Sequence, residues 1–359
     1  MAFNQPKIPL FDEAFVRGNR IGTGSFGDVF ECIPTHIGEV YLRSSGHIEA
    51  GKLIPNLVVK SPKGHSNQDT TRELEALQSW QHRGIVQFFG EFQSSDGRRH
   101  LVLEAIQGIG DGPFGHLLKE IDKASSSSGE LWRYIATRDI ISDGEFRIIA
   151  FQILSAVNYL HQHNVAHRDL KTENMLCGFP MINTAIGSAP TVKLSDFGTA
   201  RALTVEDQFG LRPNITAVAI VNGTERWMGT TQFIAPELLH AGAEAMEEER
   251  KKHGKSRIVN FKFLGAYNTK CDIYSLGVTF FFMLTKSMPY FNMNNPEEIF
   301  DFVKLGATSP KCRSVMSRLD INQETIDLVL RMLVSDPSTR PSTEQLLNDS
   351  YFDSIRNSF

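Results

Sequence analysis

The hydrophobic pattern of this chain changes period once, near Gly108, and that change limits what it can fold into. Before it, apolar residues come in short runs bounded by turn residues. "RGNRIGTG" leads into "SFGDVFECI", and "NLVVK", "GIVQFFGEF" and "RHLVLEAI" follow, as expected of strands. One stretch interrupts them: "QDTTRELEALQSWQ" spaces Leu74, Leu77 and Trp80 as on a helix. After Gly108 the helical period takes over. "EFRIIAFQILSAVNYLHQH" carries Ile148, Ile149, Phe151, Gln152, Leu154, Val157 and Leu160 on one broad face. Strands first and helices second predict an α+β chain: a small β-rich lobe with one main helix, then a larger α-helical lobe. A length of 359 residues is enough for both.

Four stretches look inserted. Residues 34–53 are glycine-rich without a clear period, and "DKASSSSGEL" reads as a polar loop. "CGFPMINTAIGSAP" separates two strand-like runs. "AEAMEEERKKHGKSR" is a charge run whose Glu247–Lys251 and Glu248–Lys252 spacing suits a solvated helix or loop, with a docking patch for a regulatory protein as the sharper alternative.

Composition excludes several classes. A formal net charge of −4 gives no general basic field, so neither nucleic acid nor a membrane surface is an expected partner. Cys32, Cys177, Cys271 and Cys312 are scattered and form no CxxC pair, which argues against a zinc site or a disulfide framework. They fit a reducing compartment: the cytoplasm, with the nucleus as the alternative. The start of the chain has no apolar run of signal-peptide length, and "IYSLGVTFFFML" is too short to span a bilayer and reads as a buried helix.

In "IGTGSFGDVF", Gly22, Gly24 and Gly27 have the spacing of a phosphate-binding loop, followed by Val29. A dinucleotide-binding oxidoreductase uses the same spacing, but there the glycines open a helix. Here "DVFECI" continues as a strand, so the loop closes a hairpin and could lie over phosphates; a purely structural hairpin has the same pattern. Lys60 ends the apolar strand "NLVVK", a costly place for an ammonium without an anionic partner. Glu73 shares a helix face with Leu77 and Trp80 and should point inward to meet it, whereas Glu75 points away.

"AHRDLKTENML" packs His167, Arg168, Asp169, Lys171 and Asn174 into eight residues. Asp169 is placed to orient a hydroxyl and take its proton. Lys171 could hold a transferring phosphate, and Asn174 offers a hard oxygen suited to Mg²⁺. The strand "VKLSDFGTA" then delivers Asp196 as a second oxygen ligand, although Asp-x-Gly is also common in ordinary turns.

Together these residues resemble the eukaryotic protein kinase family, serine/threonine-specific. Gly22, Gly24, Gly27 and Val29 match its glycine loop, and Leu57 to Lys60 its lysine strand. His167-Arg168-Asp169-Leu170 through Asn174 match the catalytic loop, Asp196-Phe197-Gly198 the DFG motif, and Ala235-Pro236-Glu237 the A-P-E motif. The resemblance covers about residues 15–352, leaving 1–14 as an N-terminal extension and 353–359 as a tail, with a lobe boundary near 106/107.

The resemblance implies a bilobal kinase fold, ATP and Mg²⁺, and protein substrates. It implies that Lys60, held by Glu73, grips the α- and β-phosphates, and that Asp196 and Asn174 bind Mg²⁺. Asp169 would be the catalytic base and Lys171 would stabilise the γ-phosphoryl charge. Thr230 would buttress Asp169 and Lys171, as in serine/threonine-specific members. Ile21, Val29, Val58, Leu103 and Leu176 would sandwich the adenine, with Glu104 and Ile106 presenting backbone groups to its edge. Asp272 resembles the buried aspartate that supports the catalytic-loop backbone, and Arg340 the arginine that pairs with Glu237. Leu77, Phe88, His167 and Phe197 match the family's stacked apolar column. Arg168 resembles an arginine that binds a phosphate on the activation segment, for which Thr224 is the candidate acceptor. The departures are Val58 where Ala is usual, Thr172 where Pro is common and Tyr274 where Trp is common. None removes a catalytic group, which sets an active kinase ahead of a pseudokinase scaffold.

Overall fold

The computed structural model describes residues 7–23, 27–49, 51–62, 74, 77–78, 80–106, 129–203, 214–221, 224–227, 233–238, 260–265, 268–289 and 310–359. Two compact units emerge: residues 1–137 with 176–180 and 190–198, and the remainder, 138–175, 181–189 and 199–359.

The first unit is built on an antiparallel sheet of order β1-β2-β3-β5-β4, with β1 Phe15–Thr23, β2 Asp28–Pro34, β3 Leu57–Ser61, β4 Phe88–Gln93 and β5 Arg99–Glu104. The glycine stretch does join two strands, with Gly22 opposite Val29 and Thr23 opposite Asp28. That excludes the dinucleotide-fold alternative, which needs a helix at this point.

Alternation along the strands sorts the side chains onto two faces. Register places Val29 opposite Lys60, Lys60 opposite Leu101, and Val58 opposite Leu103, so these five share one face. Cys32, Leu57, Val59 and Val102 point to the other, where they form a core with Phe11, Ala14, Phe15, Leu42, Ile48, Phe89 and Phe92.

Part of that core comes from stretches the sequence pattern left unassigned. Residues 34–53, expected to be an irregular insertion, contain helix α2, His36–Ser44. Thr35 caps it by accepting the Gly38 amide at 3.3 Å, and its fully buried Leu42 covers the sheet. Ile37 and Val40 are exposed although they share helical spacing with Tyr41, so the apolar pattern does not point to the side that is buried. A short helix, α1 Phe11–Ala14, lies beside it, and Gly38 packs so closely on the Ala14 carbonyl that a Cβ there would sit 2.1 Å away. Among the described residues of the expected main helix, Leu74 and Leu77 are buried and Trp80 is half-buried. Helix α3, Leu131–Ala136, closes this unit.

The second unit is mainly helical, as expected. Among the described residues its α-helices are α4 Asp143–Gln162, α5 Lys270–Thr285, α6 Pro310–Ser317, α7 Gln323–Met332 and α8 Thr343–Leu347. Ser142 caps α4, Asn322 caps α7, and Ser342 with Gln345 forms a capping box on α8. α4 buries all seven residues of its expected apolar face and packs on α5 and α8. α5 contains "IYSLGVTFFFML", buried almost throughout, and Gly277 lets it approach Met332 and Leu333. It ends on Lys286 in the left-handed conformation, φ 54°.

Short strands accompany the helices: β6 Val165–Ala166 pairs with β9 Arg201–Ala202. β10 Asn214–Val221 pairs with β11 Thr224–Trp227 and with β12 Asn260–Gly265. The third of the inserted stretches, "CGFPMINTAIGSAP", falls in a hairpin, β7 Met175–Thr184 and β8 Gly187–Leu194, whose residues divide between the two units. The charge run at 243–257 and most of "DKASSSSGEL" lie outside the described residues. All four cysteines are free and buried, and burial pushes the Cys32, Cys177 and Cys312 thiols up to about 12. Among the described residues no helix is long and apolar enough to cross a membrane.

Candidate active site

In the first unit Lys60 stands on β3 with only 6% of its surface exposed. Its Nζ lies 2.9 Å from Asp196 Oδ1, a partner 136 residues away in sequence. The chain brings Asp196 there by pinning the end of β8: Leu194 donates to the Gly84 carbonyl at 2.8 Å, and Val86 donates to Leu194 at 3.0 Å. Asp196 itself adopts φ 56°, the left-handed region that costs a non-glycine residue roughly 1–2 kcal/mol. Phe197, fully buried, anchors the turn against Trp80 at 5.4 Å between ring centroids. The expected partner of Lys60, Glu73, lies outside the described residues, as do Gly24 and Thr230.

Val29, Val58 and Leu103 line the sheet face that carries Lys60. Gly22 and Gly27 bracket the glycine loop, and a Cβ at Gly27 would meet the Ser61 carbonyl at 2.6 Å. Ile21 and Leu176 are half-buried, the latter bridged to Glu130. Glu104 ends β5, where its amide donates to the Gln87 carbonyl at 3.0 Å. Its carboxylate accepts the Gln87 amide at 2.8 Å and pairs with Lys193 at 2.5 Å. Ile106 follows, half-buried.

The second unit holds the loop from His167 to Asn174. Asp272, fully buried on α5, accepts the His167 and Arg168 amides, both at 2.8 Å, and the His161 Nε2 at 2.9 Å. Burial alone would raise the Asp272 carboxyl. The His161 hydrogen bond, the His161 and His167 charges and the Arg168 amide outweigh it and hold the group below its ordinary range. The clamp supports a bent backbone, since Arg168 has φ 68°. Arg168 Nε donates to the Thr199 carbonyl at 2.7 Å, and Thr199 Oγ1 returns a bond to the His167 carbonyl at 3.0 Å.

Asp169 follows. Asn174 Nδ2 donates both to its carbonyl at 2.8 Å and to its Oδ2 at 2.9 Å. Lys171 Nζ reaches the same Oδ2 at 2.9 Å. Three of the expected residues are thus one hydrogen-bonded group. Lower in this unit Arg340, 1% exposed, makes a two-pronged bond to Glu237 and donates to the Val334, Lys270 and Ser335 carbonyls.

Two participants were not legible as such. His161 ends α4 like any polar helix terminus, and its partner Asp272 is 111 residues on. Thr199 directly follows Asp196-Phe197-Gly198, with no pattern to single out its hydroxyl bond to His167.

The protein kinase domain model matches residues 15–352, and the chain belongs to that family. It is 26% identical over 338 residues to the serine/threonine-protein kinase cds1 of Schizosaccharomyces pombe, covering 92% of this chain and 57% of that protein. It is 25% identical over 346 residues to the serine/threonine-protein kinase PLK1 of Xenopus laevis, covering 96% and 44%. The chain therefore spans about half the length of these relatives. The solved structure of the Rad53 kinase domain and SCD2 shares the fold with a TM-score of 0.59 at 19% identity, over 96% of this chain and 90% of that one.

Proposed function

We propose that this chain is a serine/threonine protein kinase that transfers the γ-phosphoryl group of ATP to protein hydroxyls. The observation that carries the reading is the 2.9 Å pair between Lys60 and Asp196, a cation and a hard-oxygen ligand joined on the glycine-loop sheet. The relatives' printed names point the same way.

Magnesium fits the donors present. Asp196 is a carboxylate beside a cation, and the amide nitrogen of Asn174 is committed to Asp169, which leaves the oxygen as the ligating end. Asp196 on the first unit and Asn174 on the second would each hold magnesium, which would supply neutralisation of phosphate charge. Lys60 holds the α- and β-phosphates and is positioned by Glu73. Gly22, Gly24 and Gly27 let the backbone lie over them and exclude water. Ile21, Val29, Val58, Leu103 and Leu176 pack the adenine, while Glu104 and Ile106 offer it backbone groups.

Asp169 orients the acceptor hydroxyl and receives its proton. Its carboxylate is held by Asn174 and Lys171, so little reorganisation is needed during reaction. Lys171 then follows the charge that develops on the γ-phosphoryl oxygens, and Thr230 steadies the pair. Protein substrates, regulatory partners at the inserted stretches, a signalling role and a cytoplasmic or nuclear setting belong to the same proposal.

Phosphorylation of a degenerate Ser/Thr peptide library with Mg·ATP tests it. The wild type should label Ser/Thr peptides and Asp169→Asn should fall about 10²–10⁴-fold. Equal labelling by the two would make the chain an interaction scaffold instead.

A further inference from the structure

Behind Lys60, on the opposite face of the sheet, a chain of polar groups runs through an apolar layer. Ser61, the next residue on β3, is 4% exposed, and His100, at the start of β5, is fully buried. Ser61 Oγ lies 2.9 Å from His100 Nδ1, and His100 Nε2 lies 3.0 Å from Ser94 Oγ. Ser94 Oγ continues to Asp96 Oδ1 at 2.5 Å, with the Arg98 carbonyl a second acceptor at 3.2 Å. The Phe11 ring covers the imidazole at 4.6 Å, and Asp12 fastens that helix by accepting the Ser95 amide and hydroxyl.

The direction of the chain follows from its end. A carboxylate or carbonyl only accepts, so Ser94 donates outward and its oxygen accepts from His100 Nε2–H. Nδ1 is then the bare nitrogen and accepts the Ser61 hydroxyl. Both nitrogens of a fully buried ring are satisfied in one arrangement only, which fixes the ring and, through it, Ser61.

Ser61 is where that rigidity is delivered. Lys60 precedes it on the chain and Asp28 stands opposite it in the sheet. Its carbonyl is the atom on which Gly27, last of the loop glycines, rests. We infer that His100 is a positioning residue: through Ser61 it sets the end of β3 and the base of the glycine loop, and so the placement of the Lys60 ammonium. This rests on the reading of Lys60 as the phosphate-holding residue. The β-phosphate is the leaving group and gains charge as the γ-phosphoryl departs, so loosening an ammonium that grips it lowers kcat/KM for Mg·ATP.

The test uses the full chain with Mg·ATP and a Ser/Thr peptide. Ser61→Ala cuts the link and leaves His100, Ser94 and Asp96 in place. It should lower kcat/KM for ATP about five- to tenfold while KM for the peptide stays within about twofold. His100→Gln, whose amide offers an acceptor and a donor in place of the two ring nitrogens, should stay within about twofold of the wild-type kcat/KM for ATP, and His100→Leu should behave as Ser61→Ala. A Ser61→Ala enzyme that loses thermal stability but keeps the wild-type kcat/KM for ATP overturns the inference while the kinase reading stands. A wild type without ATP-dependent labelling overturns both.

Discussion

Arg340 and Glu237 face each other fork to fork: Nη1 to Oε1 at 3.0 Å and Nη2 to Oε2 at 3.1 Å, across 103 residues of sequence. The guanidinium is shut away from solvent and gives its other bonds to three backbone carbonyls. Removing one member strands the other. Arg340→Ala is expected to destabilise by about 3–5 kcal/mol, read as a shift in the urea unfolding midpoint. Arg340→Lys keeps the charge but cannot reproduce the fork, so it should recover less than half of the loss.

Asp272 makes a sharper prediction, because its replacement can preserve shape. Asn in its place puts an N–H₂ against either the His167 or the Arg168 amide, so a donor faces a donor. The lost acceptor and the unmet amide should cost about 1–3 kcal/mol of stability. The loop carrying Asp169 begins at that point, so kcat for peptide phosphorylation should fall more than KM for ATP rises. Steady-state kinetics beside an unfolding curve would check both.

What the sequence disclosed and what it hid follow from range. Val29, Val58 and Leu103 are named through the family resemblance, and their shared face with Lys60 comes from cross-strand register, which a linear reading does not give. The buried face of α4 was plain, since its apolar residues recur at helical spacing. Helix α2 escaped because its fold depends on neighbours. Leu42 and Gly38 bury against α1 and the sheet while Ile37 and Val40, at helical spacing, stay exposed, so the apolar pattern does not mark the buried side. The individual bonds of the candidate site were beyond a linear reading for the same reason. Nothing near His161 announces Asp272, and nothing near Lys60 announces that Asp196 lies 2.9 Å away.

Gly144 offers a test of the hairpin β7–β8. At the start of α4 it lies under the hairpin tip, where a Cβ would come within 2.2 Å of the Ile186 carbonyl. Alanine is ordinarily the better helix former by roughly 1 kcal/mol. Here the backbone oxygen cannot swing aside as a flexible side chain could, so Gly144→Ala should instead destabilise by about 1–3 kcal/mol. Calorimetry giving a raised melting temperature would contradict the close packing.

Thr224 lies in β11, its backbone opposite Val221, within the stretch between Asp196 and Glu237. A phosphate there would carry close to two negative charges and three acceptor oxygens, chemistry suited to a guanidinium such as that of Arg168. With Thr224 as the acceptor, incubation with Mg·ATP should raise the activity of the wild type, and Thr224→Ala should stay at the basal rate. A variant that is activated as fully as the wild type after incubation with Mg·ATP would exclude Thr224 as the site.

His100 gives the pH dependence a definite sign. Burial lowers its pKa from 6.5 to about 4, with the Arg17 and Arg98 charges pushing the same way and Asp12 and Asp96 opposing. In the unfolded chain the ring takes up a proton as pH falls through 6.5, whereas the folded ring, with both nitrogens engaged, resists until about 4. Over that window the unfolded state binds more protons, so stability falls as pH is lowered and is fully present above 6.5. The gap is worth up to about 3 kcal/mol at roughly 1.4 kcal/mol for each pH unit. His47 and His82, also lowered by burial, add to the same trend, so the wild-type slope alone does not isolate one ring. The difference between wild type and His100→Gln does. Urea unfolding at pH 7.5 and pH 4.5 should show the wild type losing about 2–3 kcal/mol more than the variant, which has no proton to gain at that position.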